Sequence, residues 1–377
     1  MSVHRHHYAL PLTLTILLGS LLLPTPARSA EHTMQDAKPK VAVIAHRGAS
    51  ALLPEHTLAA YAKAIEDGAD AIEPDLVSTQ DGALVARHEN EIGSTTDVAT
   101  HPQFAARKTS KTIDGERIKG WFTEDFTLAE LRTLRARERL PQLRSTDADG
   151  RFPIATLDEI IKLVATESAR RGRVIGLVPE IKHPTYFAGI GLAMEDKLLS
   201  TLAAHLYTKQ APVTIQSFET GNLRQLRERI GAAHPNLRLL QLLGGGKDRP
   251  YDLVATRQRT TYGDMMTPAG LRGIATYADA IGPSISSVKL TTATDGSTHS
   301  ALVQDAHAAG LQVVLYTFRP ENYFLPREFR NGDAVTARNT AGSIRQMRGY
   351  IAAGIDALFA DDPATARQAV DGDWMPH

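Results

Sequence analysis

The sequence predicts a closed parallel (β/α)8 barrel, a TIM barrel of the α/β class, with an insertion after its second strand. Three observations predict it. Eight short, β-rich apolar runs recur along the 377 residues. Helical patterns fall between most of them, and a strand–helix alternation repeated this often closes on itself. The runs are also continuously apolar, as strands covered on both faces must be. An open doubly wound sheet is the alternative. It usually carries a G-x-G-x-x-G loop after its first strand, and "HRGAS" at 46–50 does not have that form.

The first thirty residues stand apart from the barrel. "MSVHRHHYALPLTLTILLGSLLLPTPARSA" has a basic, histidine-rich start, an apolar stretch from Leu12 to Leu23, and a small-x-small site at Ala27-Arg28-Ser29-Ala30. That is the layout of a secretory signal peptide, cleaved near Ala30. The apolar stretch is short for a bilayer span, and no second long one follows. The expectation is an exported protein, periplasmic or secreted, whose mature domain runs over 31–377 with no stable membrane insertion.

The eight strands are expected in "KVAVIAHR" (40–47), "ADAIEPDLV" (69–77), "VIGLVPEIK" (174–182), "VTIQSF" (213–218), "LRLLQLL" (237–243), "ADAIGPSI" (278–285), "LQVVLYTF" (311–318) and "IDALFADD" (355–362). Helices are expected in "EHTLAAYAKAIEDG", "TLDEIIKLVATESARRG", "GLAMEDKLLSTLAAHL", "ETGNLRQLRERIG", "HSALVQDAHAAG" and "GSIRQMRGYIAAG", several ending in the glycine that favours a helix C-terminus. Asp361-Asp362 before Pro363 reads as the cap of a final helix. Two stretches break the rhythm. Residues 88–150 are polar, with "DFTLAELRTLRA" as the clear helix, and form the inserted segment. Residues 244–276 read as a loop placed to cover a site.

Charge and cysteine content narrow the function. Removing the leader takes away Arg5 and Arg28, so 42 basic residues become 40 against 42 acidic, a net charge of about −2. A nucleic-acid partner would ask for a basic stripe, and none is present. There is no cysteine, which excludes a small disulfide scaffold and leaves the core to hold the fold. Nothing in the sequence sets the oligomeric state.

In this fold function sits at the C-terminal ends of the strands. Strand one ends in His46-Arg47, strand two in Glu73 and Asp75, and strand three in Glu180 and Lys182. Strand four ends in Gln216-Ser217-Phe218, strand seven in Tyr316 with Arg319 beyond, and strand eight in Asp361-Asp362. Residues i and i+2 of a strand share a face, so Glu73 and Asp75 point together, as do Glu180 and Lys182. Taken singly, Glu-x-Asp reads as a solvated edge, Glu-x-Lys as an ion pair and His46 as a structural histidine. Co-location at one rim changes that. Three carboxylates converging in a barrel mouth repel one another unless a cation neutralises them. Oxygen ligands without thiolate suit Ca²⁺ or Mg²⁺, and an exported protein meets abundant calcium. Three carboxylates against a divalent cation, Arg47 and Lys182 leave a net charge of about +1, which suits a singly charged phosphodiester.

At these residues the chain resembles the glycerophosphodiester phosphodiesterases. "VAVIAHRGASALLPEHT", "GADAIEPDLVSTQDGALVARHENEIGSTTDV" and "VPEIK" carry the resemblance, which runs from about 41 to 363. "GWFTEDFTLAELRTLRARERLPQLR" (120–144) resembles the exported bacterial branch of that family. The resemblance implies a phosphodiesterase on a TIM barrel, with Ca²⁺ at Glu73, Asp75 and Glu180 and catalytic histidines at His46 and His88. It implies a phosphate contact for Arg47 and a place near the phosphate for Lys182. "PEHT" stands where many members read PENT, so His56 replaces an asparagine. Glu55 is expected to orient the His46-Arg47 turn or a substrate hydroxyl, with Gln216 and Tyr316 as further substrate contacts. The expected substrate is a small glycerophosphodiester, cleaved to sn-glycerol 3-phosphate and an alcohol. A lipid- or glycerol-phosphate-polymer-cleaving enzyme on the same barrel, or an exported binding protein, are the alternatives. Trp121, Phe218, Tyr316 and Phe318 are the aromatic candidates for an alcohol pocket, each equally readable as packing.

Overall fold

The computed structural model describes residues 40–231 and 234–372; the predicted signal peptide lies outside the described residues. Eight parallel strands form the barrel: β1 (Ala42–His46), β2 (Ala71–Glu73 and Asp75–Ser78), β3 (Gly176–Leu177 and Glu180–Ile181), β4 (Val213–Ser217), β5 (Leu237–Leu243), β6 (Ala280–Pro283), β7 (Gln312–Phe318) and β8 (Ala357–Ala360). Each pairs with the next, and β8 pairs with β1, so the sheet closes as the sequence predicts.

Two prolines shape the part that matters most. Pro74 divides β2 and Pro179 divides β3, because proline has no N–H to give the ladder. The pairing resumes beyond both breaks, with Asp75 opposite Glu180. The interruption therefore falls at the three carboxylates.

The barrel helices are α1 (Leu58–Glu66), α2 (Leu157–Arg171), α3 (Glu195–Ala204), α4 (Gly221–Ile230), α5 (Pro268–Ile274), α6 (Ala301–Ala308), α7 (Thr340–Ala352) and α8 (Pro363–Asp371). Their starts follow the capping chemistry of their sequences. Thr57 of "PEHT" accepts from the Ala60 N–H at 3.1 Å, and Thr156 forms a reciprocal capping box with Glu159. Of the Asp361-Asp362 pair only Asp362 caps α8; Asp361 turns into the barrel mouth. The stretch 244–276 is not a plain loop. It holds short helices at Tyr251–Ala255 and Tyr262–Met265 and then α5, and threonine caps at Thr261 and Thr267 start the last two. These helices are too short for an apolar period to show.

Side chains alternate between two cores. Val43, Ala45, Ile72, Leu239 and Leu358 face the helices. Ile44, Val178, Leu240, Leu242, Val314 and Phe359 fill the barrel interior. Extending the interior columns by two residues gives His46, Glu180, Tyr316 and Asp361, so the fold itself delivers polar groups to the mouth.

Between β2 and α2 the chain first returns antiparallel along β2 as Leu84–Ala86, with Leu76 opposite Ala86. It then forms a hairpin, Thr109–Ile113 with Glu116–Gly120. The expected helix in "DFTLAELRTLRA" is only Leu128–Leu131. It stops because the chain beyond is drawn into bridges of Ala136 with Thr96 and Arg135 with Pro153. Ile92, Phe104, Trp121, Phe122, Phe126 and Leu134 are buried within this segment.

Candidate active site

β1 ends by turning sharply. Arg47 has φ +62° and Gly48 φ +91°. A Cβ on Gly48 would lie 2.7 Å from the Ala60 carbonyl carbon of α1, so only glycine fits here. The strained turn points the Arg47 N–H at Glu73 Oε2, 3.1 Å away. The Arg47 guanidinium donates to Glu55 Oε2 at 2.9 Å and lies 3.3 Å from Asp75 Oδ2.

Glu73, Asp75 and Glu180 are all buried and bring one oxygen each within 4.8 Å of one another. Gln216, fully buried, donates its amide to Glu73 Oε1 at 2.7 Å, so it braces a carboxylate instead of facing an open pocket. Lys182 Nζ sits 2.8 Å from Glu180 Oε1. His56 spans Asp75 Oδ2, 2.9 Å from Nε2, and the Tyr61 hydroxyl, 2.7 Å from Nδ1. The residue that stands in for asparagine therefore orients one of the three carboxylates.

These three carboxylates could hold a cation. Burial, then repulsion from Asp75 and Glu180, pushes Glu73 well above the ordinary carboxyl range. Burial pushes Glu180 up to about 8, with Asp75 adding and Lys182 opposing. Burial acts on Asp75 in the same sense, but His56 and Lys182 outweigh it and hold that carboxyl well below the usual range. Asp75 Oδ1 is buried without a hydrogen-bond partner, an atom that a hard cation would satisfy.

Two histidines flank the cluster. His46 lies opposite Glu73 in the β1–β2 register, its Nε2 3.9 Å from Glu73 Oε2, and its Nδ1 meets Asp361 Oδ1 at 2.6 Å. His88 comes from the antiparallel return strand, where the Arg87 N–H bonds the Asp75 carbonyl at 2.9 Å, and its Nδ1 is paired with Glu89. A carboxylate at Nδ1 fixes the tautomer and leaves Nε2 basic. Burial and the Arg47 charge lower His46 to about 4, against the pull of Asp361. Burial, Arg47 and Lys182 lower His88 to about 3. Both rings are neutral at physiological pH before substrate arrives.

Beside Lys182 and Glu180 a cavity of about 310 Å³ opens, walled by Asp114, Phe218, Glu219, Tyr251 and Tyr262. The 244–276 segment thus does line the mouth. Tyr316, expected as a substrate contact, is not part of that wall: it packs edge-on against Phe218, ring centroids 6.0 Å apart, with its hydroxyl given to the Leu243 carbonyl. Trp121 and Phe318 do not join it: Trp121 donates to the Phe104 carbonyl inside the insertion, and Phe318 packs edge-on against Tyr350.

Residues 46–365 match the Glycerophosphoryl diester phosphodiesterase family. The chain belongs to that family. It is 34% identical over 381 residues to glycerophosphodiester phosphodiesterase GDPD6 of Arabidopsis thaliana, covering 94% of each chain. It is 28% identical to the glycerophosphodiester phosphodiesterase of Haemophilus influenzae, covering 82% of this chain and 87% of that one. A solved Oleispira antarctica phosphodiesterase in complex with the product sn-glycerol-3-phosphate shares the fold at TM-score 0.56 and 19% identity, covering 88% of this chain and 98% of that one. Within this glycerophosphoryl diester phosphodiesterase, Glu89, Arg139 and Arg144 escape a reading of strand ends, and Asp361, which that reading does reach, is taken there for a helix cap. Asp361 holds His46. Glu89 holds His88. Arg139 and Arg144, both from the insertion, hold those two carboxylates. The signal for Asp361 was its place two residues beyond Phe359 on an interior column; the arginines leave no such pattern.

Proposed function

We propose that this enzyme hydrolyses small glycerophosphodiesters, such as glycerophosphocholine or glycerophosphoethanolamine, to sn-glycerol 3-phosphate and the free alcohol. The observation that carries the reading is the convergence of Glu73, Asp75 and Glu180 with Arg47 and Lys182 against them, beside two neutral histidines. Glu73, Asp75 and Glu180 are the residues that would hold the cation, Ca²⁺ by the reasoning on oxygen ligands, with Mg²⁺ the other candidate. When bound, the cation supplies Lewis-acid neutralisation of phosphoryl charge. Arg47 and Lys182, beside Asp75 and Glu180, would add positive charge against the non-bridging oxygens, in a buried setting where such charges act strongly. His46, neutral and with Nδ1 tied to Asp361, is placed to take a proton at Nε2 from the attacking hydroxyl, whether water or a glycerol hydroxyl of the substrate. His88, neutral in the free enzyme, first takes a proton from solvent at Nε2 as the approaching phosphodiester charge raises its basicity, and then gives that proton to the leaving alkoxide. Glu55 keeps Arg47 aimed at the phosphate.

Replacing His88 by alanine tests the assignment. The account expects kcat to fall on the order of 10²–10⁴-fold with the fold intact by circular dichroism. Ordinary turnover by folded His88→Ala protein would reject it.

We infer that the protein is exported as well. The support is the leader pattern of residues 1–30 and the likeness of 120–144 to the exported bacterial branch. Among the described residues no helix is long and apolar enough to cross a membrane. An intact mass of the purified native protein starting at Glu31 supports export; one retaining residues 1–30 contradicts it.

A further inference from the structure

We propose that the insertion after β2 completes the active site from outside the barrel: Arg144 is a positioning residue for His46, acting through Asp361, and Arg139 is one for His88, acting through Glu89. The geometry is specific. Asp361 divides its two oxygens, Oδ1 to His46 Nδ1 at 2.6 Å and Oδ2 to Arg144 Nη2 at 2.5 Å. Arg319 also reaches Oδ2, at 3.1 Å, but its side chain is 29% exposed against 7% for Arg144. Arg144 is therefore the desolvated anchor. It is itself fixed by Glu321 Oε1 at 2.7 Å and the Ser50 carbonyl at 2.9 Å. A carboxylate pinned at one oxygen presents the other in a single orientation, and the imidazole follows it.

Arg139 makes the matching arrangement on the other side. Nη1 and Nη2 meet the two oxygens of Glu89 at 3.0 and 2.6 Å, while Nε and Nη2 meet the two oxygens of Glu55 at 2.8 and 2.7 Å. Glu89 holds His88 and Glu55 holds Arg47. Only a guanidinium fork serves two carboxylates this way, so lysine cannot replace it.

A double-mutant cycle separates positioning from mere support of the fold. kcat and KM on glycerophosphocholine are measured for Arg144→Ala, Asp361→Asn and the pair, and for Arg139→Ala, Glu89→Gln and that pair. Each single change should lower kcat on the order of 10²-fold. The Arg144–Asp361 double should fall no further than Asp361→Asn alone, within about threefold, because Arg144 acts through that carboxylate, and the Arg139–Glu89 double, in which Glu55 is released as well, should still lose less than the product of its two single losses. Arg144→Lys, which keeps the charge and loses the fork, should be as impaired as Arg144→Ala, and it carries the comparison if the alanine variant does not fold. Losses that multiply in the doubles, or a folded Arg144 variant with unchanged kcat, overturn the proposal. It rests on the reading of His46 and His88 as proton-transfer residues. An active His46→Ala in the same assay rejects that reading; an inactive one with multiplying losses rejects only the positioning role.

Discussion

Loading the carboxylate cluster with a divalent cation should release protons, and its affinity should climb with pH. Glu73, Asp75 and Glu180 present oxygens within 4.8 Å of one another in a buried site. With no cation between them, Glu180 is pushed up to about 8 and Glu73 well above its ordinary value. Glu180 is then largely protonated below neutral pH, and Glu73 keeps its proton to a higher pH than an ordinary carboxyl does. A cation must displace those protons before it can use the oxygens. Each raised carboxyl makes the apparent Kd tighten about tenfold per pH unit, about 1.4 kcal/mol, until the pH passes its own value. Glu180 alone therefore predicts a tightening of about tenfold between about pH 6 and 7, flattening near its value of about 8. Glu73, raised in the same sense, acts in the same direction. Asp75 adds nothing over this range, because His56 and Lys182 keep it ionised throughout. The assay is calorimetric titration of metal-stripped protein with CaCl2 at about pH 6, 7 and 8, in two buffers of different ionisation enthalpy. A Kd independent of pH, with equal heats in the two buffers, would refute the reasoning.

Three further outcomes follow from single contacts. His56→Ala should weaken Ca²⁺ binding roughly ten- to hundredfold by freeing the Asp75 carboxylate, read by the same titration. Phe359→Ala, which empties a fully buried interior position, should cost about 3–5 kcal/mol in urea unfolding. Gly48→Ala should destabilise by about 1–3 kcal/mol through its left-handed backbone alone. It should also cost activity, because α1 lies 2.7 Å from the added carbon and must shift Arg47 with it.

The barrel was legible because its strands are unbroken apolar runs, and the three carboxylates because residues i and i+2 share a face. That argument held even though Pro74 interrupts the strand between Glu73 and Asp75. His88 was not legible from spacing. It arrives on a return strand, and the only local signal is the turn at Thr79–Gly82, where Gly82 has φ +76° and donates to the Thr79 carbonyl. An Asp-Gly between two apolar runs marks such a hairpin. Asp361 was hidden by its neighbour: Asp-Asp-Pro is a cap pattern, and one of the two aspartates does cap. Arg139 meets Glu89 across 50 residues and Glu55 across 84, and Arg144 meets Asp361 across 217. No local pattern encodes a contact at that range, and a polar insertion offers no periodicity from which to guess one.

The most direct test of the account is the release of glycerol 3-phosphate from glycerophosphocholine by the protein, before and after treatment with EGTA. The account predicts turnover that EGTA abolishes and added Ca²⁺ restores, with the restored rate lost again in Glu180→Gln protein. Turnover that survives exhaustive chelation, or that Glu180→Gln leaves intact, would contradict the claim that these three carboxylates form the working centre of the enzyme.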